Sequence, residues 1–321
     1  MTGTMTAAVA GPRGLSLATV PRPLPGPGQV GVQVAAAGLN RLDLSAATGA
    51  PEGWGKPIGM EWAGVVVETG PGVAGLRAGD RVACTGKGGY AEFAATDAWR
   101  CFPLGAGMDF AQAAVLPLAL MTAHDALVTQ GRLAAGEAVL VQGASSAVGL
   151  MALQIAASQG AGVIAGLARD PARRGRLGEF GATLALDPQE RWMEVLAEAT
   201  DGRGADIIID MVSGNTLAAS LEAAAICGRI INVGRLGGDD ASFDCGLHAL
   251  KRLKYIGVTF RTRTPEEVRE IVARVRDDLW AKVAAGRLRL PVDSSFRLDQ
   301  VADAHEHMRA NRHFGKIVLL P

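Results

Sequence analysis

Aromatic residues make up only 5% of this 321-residue chain, cysteine occurs four times, and neither sign of charge is in excess, with 32 Lys and Arg against 32 Asp and Glu. Each scarcity excludes something. Cys84, Cys101, Cys227 and Cys245 are far apart in sequence and form no CxxC pair, which argues against a disulfide framework and a zinc knuckle. A reducing, cytoplasmic setting is the expectation. Balanced charge argues against nucleic acid or a membrane surface as partner. No stretch reaches about 18 uninterrupted apolar residues, so no membrane span is expected. The opening "MTGTMTAAVAGPRG" lacks the charged start and apolar stretch of a secretory signal.

What is abundant is small and apolar. Hydrophobic residues reach 49% and glycine occurs 42 times, enough for two domains with large Ala, Val and Leu cores and many tight turns. Up to about residue 120 the texture is mostly β, in runs such as "QVGVQVAAAGLN" and "WAGVVVETG" closed by Gly or Asn. Helical patterning begins near Asp109 and resumes after Pro117. From 138 to about 260 strands and helices alternate, with strand candidates at 138–142, 162–167, 206–210, 228–233 and 255–259. Runs with continuous apolar centres, such as "DIIIDMV" and "RIINVG", suit a parallel sheet covered on both faces. Thr264, Pro265 and Glu267 start a long helix that Gly286 ends. A further helix, "LDQVADAHEHMRAN", precedes a last strand, "GKIVLL".

The stretch "AVLVQGASSAVGLMALQ" is a buried-looking strand, a turn of small residues and a helix. Gly143, Ala144, Ser145, Ser146, Ala147, Val148 and Gly149 form either a phosphate-binding turn, with the free N–H groups of the helix start aimed at a pyrophosphate, or an ordinary strand-turn-helix. The strand before it and the βαβ series after it favour the first. An NAD site places Asp or Glu at the end of the second strand; here "GVIAGLA" is followed by Arg169, with Arg173 and Arg174 one helical turn on. Arginine there suits a 2′-phosphate, hence NADPH, although Arg174 and Arg176 also read as a solvated helix face and Asp170 could serve a ribose hydroxyl.

The motifs "GLNRLDL", "GMEWAGVVVETGPGV", "AGDRVA", "GGYAEFA", "GASSAVG", "GADIIIDMV", "GRIINVG" and "GVTF" cover nearly the whole chain. With them the sequence resembles the medium-chain dehydrogenase/reductase superfamily, in its zinc-free quinone oxidoreductase (zeta-crystallin-like) branch. The resemblance implies an α/β protein: a Rossmann doubly wound parallel sheet over 121–261, plus a chaperonin-10-like, β-barrel-type catalytic domain from 1–120 and 262–321, with the active site in the cleft between them. It implies hydride transfer from NADPH to a quinone or an α,β-unsaturated carbonyl, and a homodimer joined near "YIGVTF". Zinc relatives carry Cys and His where this chain has Asn40 and Met60, so no metal is expected. The resemblance places Asn40 beside the substrate oxygen, where an amide N–H can steady an oxyanion, and makes Asp43 its companion in the motif. A turn-forming Asn after a strand is the plain alternative. Thr122 in "TA", Val233 and Gly234 closing "INVG", and Arg261 after "GVTF" are the other residues implied at the cofactor. Thr122 alternatively caps a helix, and Arg261 and Arg263 alternatively lie on a surface loop. Ser45 and Ala47 replace a Tyr and an Arg common in the branch, and Asp187 replaces a Tyr near the 2′-phosphate. Tyr90 reads as a structural turn residue, Tyr255 as the start of a buried strand, and His305 and His307 as surface residues. A dedicated enoyl reductase of a biosynthetic pathway and a low-turnover NADPH-binding structural or sensor protein are the alternative functions.

Overall fold

The computed structural model describes residues 3–12, 14–47 and 53–321. The chain divides into two compact units, Met1–Leu118 with Val272–Pro321, and Ala119–Ile271. The second crossing lies within a helix, ten residues beyond the 261/262 division expected from the sequence motifs.

In the first unit, β1 (Thr4–Gly11) and β2 (Gly14–Pro21) form an antiparallel hairpin. Then come β3 (Gln29–Gly38), the short helix α1 (Arg41–Ala47), β4 (Glu61–Thr69), β5 (Arg81–Thr85), β6 (Phe93–Asp97) and β7 (Cys101–Pro103). Asp109 caps α2 (Phe110–Ala113) by accepting from the Ala111 and Gln112 N–H groups. Pro117 opens α3 (Pro117–His124), which continues as a π-helical turn over Asp125–Gln130. By length and composition alone Phe110–Gln130 could cross a membrane, contrary to the expectation of no such segment; 72% of its most apolar stretch is buried, the position of a core helix.

The second unit holds β8 (Ala138–Gln142), α4 (Ala147–Ser158), β9 (Val163–Leu167), α5 (Pro171–Arg174), β10 (Leu184–Leu186), α6 (Trp192–Ala199), β11 (Ala205–Asp210), α7 (Leu217–Ala223), β12 (Ala224–Asn232), α8 (Cys245–Lys251) and β13 (Lys254–Gly257). Its six strands are parallel, in the order β10-β9-β8-β11-β12-β13. β8 lies near the middle and is buried at every position, as its apolar run Ala138–Val141 requires, with Gln142 buried at its end. The order reverses direction beside β8, so the crevice at its carboxyl end is the topological switch point where such sheets hold ligands.

The chain then forms a long helix from α9 (Pro265–Val275) through a π-helical turn to α10 (Ala281–Ala284). Thr264 and Glu267 cap it reciprocally. β14 (Val292–Arg297), α11 (Val301–Arg309) and β15 (Lys316–Leu320) return to the first unit. There β15 pairs with β3, giving a seven-stranded sheet in the order β14-β15-β3-β4-β5-β7, with β6 also on β3. Trp62, Tyr90, Val30, Val32 and Ile317 are among the buried residues of its core. Cys84 and Cys101, distant in sequence, face each other across β5 and β7 with their sulfurs 3.5 Å apart, and both are free thiols.

Candidate active site

The small-residue turn lies at the switch point. Gly143 adopts φ +65°, Ser146 N–H donates to the Gly143 carbonyl, and the Ser146 hydroxyl caps α4 by accepting from the Gly149 N–H at 3.2 Å. A Cβ on Gly149 would stand 2.7 Å from Ala144 Cα and from the carbonyl oxygens of Ala144 and Gly143, so helix and turn touch backbone to backbone. Ala144 and Ala147 are buried, whereas Gly143, Ser145, Ser146 and Val148 are half-exposed along the start of a three-turn helix. This cradle fits a pyrophosphate.

One strand over, the charges are sorted in a way the sequence left open. Asp170 accepts from the Arg173 N–H at 2.9 Å as the N-cap of α5, and this bond holds its carboxyl below the usual range. Arg174 binds Asp187 at 2.8 Å and the carbonyls of Ala168 and Arg169 at 3.0 and 3.1 Å, so the alternative of a solvated helix face does not hold for it. The other Asp187 oxygen accepts from the Gln189 N–H. Arg176 pairs with Glu179 on the surface. Both acids at this edge are therefore engaged, while Arg169 is exposed and Arg173 half-buried with Asp170 3.5 Å away.

The other residues expected at the cofactor have the following surroundings. Thr122 is half-buried inside α3, well past the N-terminus that it would need to cap. Val233 and Gly234 follow β12 and bond to the Asp210 carbonyl; a Cβ on Gly234 would come within 2.8 Å of the Met211 carbonyl, so this glycine serves a close approach of two strand ends. Arg261 is exposed, whereas Arg263 binds the fully buried Asp125 at 2.6 Å and the Thr259 carbonyl. Tyr255 lies on an edge strand and is 39% exposed, not buried, with its hydroxyl accepting from Asn232 Nδ2 at 2.8 Å. Sequence reading missed Asp210, whose buried carboxylate accepts from the Val212 and Ser213 N–H groups and whose pKa burial raises.

In the first unit Asn40 follows β3 and is half-buried. Its Nδ2 donates to Glu61 Oε1 at 3.0 Å and reaches the Gly38 carbonyl only at 3.4 Å. Its Oδ1 accepts from Lys316 Nζ at 2.7 Å. Lys316 also bonds to Glu61 Oε1 and to the Leu39 carbonyl, and Glu61 Oε2 accepts from the Leu118 N–H at 3.0 Å. Glu61 and Lys316 are buried, and nothing in the sequence singled them out. Asp43 is fully buried below this loop, accepting at Oδ2 from the Asn40 N–H (2.8 Å) and from the Tyr90 hydroxyl (2.7 Å). Burial raises its pKa to about 6.

His305 packs edge-on against Tyr90 at 6.0 Å and is only 1% exposed, correcting its reading as a surface residue: α11 turns this face inward. His307 is half-buried and contacts Asp293 at 3.2 Å. Ser45 is exposed and Ala47 buried. Of the loop "SAATGAPEGWGKP", Trp54 is exposed, and residues 48–52 lie outside the described residues.

Residues 26–106 match the alcohol dehydrogenase GroES-like domain, and residues 147–277 match the zinc-binding dehydrogenase family. Quinone oxidoreductase of Rattus norvegicus is 30% identical over 93% of this chain and 91% of its own length. The chain belongs to the medium-chain dehydrogenase/reductase superfamily, in its quinone oxidoreductase branch. It is an oxidoreductase of that superfamily. A phthioceranic/hydroxyphthioceranic acid synthase of Mycobacterium tuberculosis is 33% identical over 95% of this chain, which spans only 14% of the synthase's length. Among solved structures, an alcohol dehydrogenase superfamily protein from Novosphingobium aromaticivorans has a TM-score of 0.88 at 31% identity, covering 99% of each chain. The zinc named for the matched family does not fit the residues around Asn40. The Asn40 amide oxygen faces an ammonium, Glu61 is ion-paired, and among the described residues no three His, Cys, Asp or Glu converge.

Proposed function

We propose that this chain is an NADPH-dependent, zinc-independent reductase acting on a quinone or an α,β-unsaturated carbonyl. The observation that carries the cofactor reading is the edge beyond the phosphate turn. Asp170 is engaged as a helix cap and Asp187 by Arg174, so no free acid at these two positions waits for a ribose diol, while Arg169 stands exposed beside Arg173. Arginine suits a 2′-phosphate dianion through charge-assisted bonds. The turn from Gly143 to Gly149 would hold the pyrophosphate, and a reduced nicotinamide supplies a hydride to the electrophilic carbon.

The chain's own part is orientation and polarity. The Asn40 hydrogen directed at Gly38 makes only a long bond, so it is the amide hydrogen available to a substrate oxygen as negative charge develops there. Water supplies the proton. NADPH consumption should exceed NADH consumption with an aromatic ortho-quinone or an alkyl enone. Asn40→Ala should lower turnover by about 10- to 100-fold, the order of losing one oxyanion donor, with a smaller change in NADPH affinity. Unchanged turnover with a good acceptor would sink the role of Asn40.

The synthase similarity favours a second reading, a dedicated enoyl reductase. Turnover of the enone and not the quinone would select it. Tight NADPH binding without consumption by either acceptor would favour a structural or sensor role. We also propose a homodimer, formed through the exposed edge of the parallel sheet.

A further inference from the structure

We propose that the buried Lys316–Glu61 pair orients and polarises the Asn40 side-chain amide, an inference that rests on the role proposed above for Asn40. The two ends of a primary amide have nearly the same shape, and only their partners decide which way it points. Here the partners are of opposite charge. Lys316 Nζ donates to Oδ1 at 2.7 Å and Glu61 Oε1 accepts from Nδ2 at 3.0 Å. A flipped amide would set its N–H groups against an ammonium and its oxygen against a carboxylate.

The clamp is itself fixed. Lys316 is the first residue of β15 and Glu61 the first of β4. The three ammonium hydrogens have three acceptors, in Asn40 Oδ1, the Leu39 carbonyl and Glu61 Oε1. The second Glu61 oxygen is bound by the Leu118 N–H. Side-chain exposure of the pair is 5% and 0%. A buried ion pair is a poor device for stability, because an apolar pair of the same volume often serves as well or better. Its value here is directional. An ammonium on Oδ1 draws electron density through the amide and makes the remaining Nδ2–H a stronger donor. Lys316 is thus a positioning residue that acts through Asn40.

The test is a double-mutant cycle on kcat and KM with whichever acceptor the wild type turns over. Lys316→Met should lower kcat about tenfold or more, as the loss of a group that holds a reacting side chain in place does, with little change in KM for NADPH. Added to Asn40→Ala it should lower kcat no further, and Lys316→Arg should restore part of the loss. A Lys316→Met loss that multiplies with the Asn40→Ala loss, or no loss at all, would overturn the clamp. If Lys316→Met does not fold, the uncharged Lys316→Met/Glu61→Gln pair replaces it in the same cycle. Asn40→Ala with Lys316 intact reports separately on the role of Asn40. Independently of turnover, the Asn40 amide resonance, assigned by its loss in Asn40→Ala, should shift and exchange faster with water in Lys316→Met or its uncharged pair. An unmoved resonance would also overturn the clamp.

Discussion

Asp43 and His305 both contact Tyr90, one at its hydroxyl and the other edge-on at its ring, and their proton affinities depart from the ordinary in opposite senses. Burial holds the Asp43 pKa at about 6, above its unfolded value of 3.8, against the lowering effect of the Tyr90 and Asn40 hydrogen bonds. Burial, aided by Arg309, lowers the His305 pKa to about 4, against 6.5 unfolded. Between pH 4 and 6 the folded chain therefore holds a proton on Asp43 that the unfolded chain has released, so this group favours folding at the acid end and loses up to about 3 kcal/mol as pH rises through about 6. For His305 the unfolded chain holds the extra proton, so stability is lost as pH falls from 6.5 through about 4, by a similar amount of about 3 kcal/mol. The two slopes nearly cancel. Asp43→Asn should leave a stability that rises steadily from pH 4 to 6.5, and His305→Phe one that falls from pH 4 to 6. Urea melts at half-unit pH steps read both slopes; parallel curves for the two variants and the wild type would show that neither group titrates as its burial requires.

The decisive element is the strand-turn-helix at β8, with the ends of β9 and β10 beside it. Gly149→Val places a side chain against three backbone atoms of the turn, and such overpacking costs about 1–3 kcal/mol. Because the same atoms shape the phosphate cradle, NADPH affinity should fall at least about tenfold, read by fluorescence titration; retained affinity would separate the turn from the cofactor. Asp187→Asn keeps its acceptor for the Gln189 N–H but removes an anion from the edge where a 2′-phosphate would dock. KM for NADPH should drop about 3- to 10-fold, a partly exposed charge effect, while KM for NADH stays level; equal changes in both would mean that Asp187 does not face the phosphate. How much of this the sequence could reveal follows from distance along the chain. The turn was legible because strand, small residues and helix are contiguous. So were the Rossmann alternation and the capped helix at Thr264. Which arginine would hold Asp187 was not legible, since it depends on β9 and β10 lying side by side. Nor was the Asn40 clamp, whose lysine is 276 residues away from Asn40 and meets it only when β15 pairs with β3. His305 was misread because its two-residue spacing from His307 says which helix face it occupies, not which face α11 buries.

At the scale of the whole molecule the unanswered surface is one edge of the parallel sheet. A six-stranded open sheet has two edges, β10 and β13. β10 has three residues and is followed by Asp187, Glu190 and Arg191, charges of the sort that discourage strand addition. Beyond Lys254, β13 offers Tyr255, Ile256 and Gly257, with the ring of Phe243 6.1 Å from that of Tyr255 and Leu250 79% exposed just before it. An apolar fringe on an unpaired edge is an aggregation hazard unless a partner covers it. A second copy is the simplest partner, because antiparallel pairing of β13 with itself about a two-fold axis makes one interface and leaves nothing over to propagate. Sedimentation velocity should therefore show a dimer at micromolar concentration. Phe243→Lys/Leu250→Lys, which sets positive charge beside that edge in both copies, should give a folded monomer. A wild-type monomer, or a dimer indifferent to both lysines, would move the interface elsewhere.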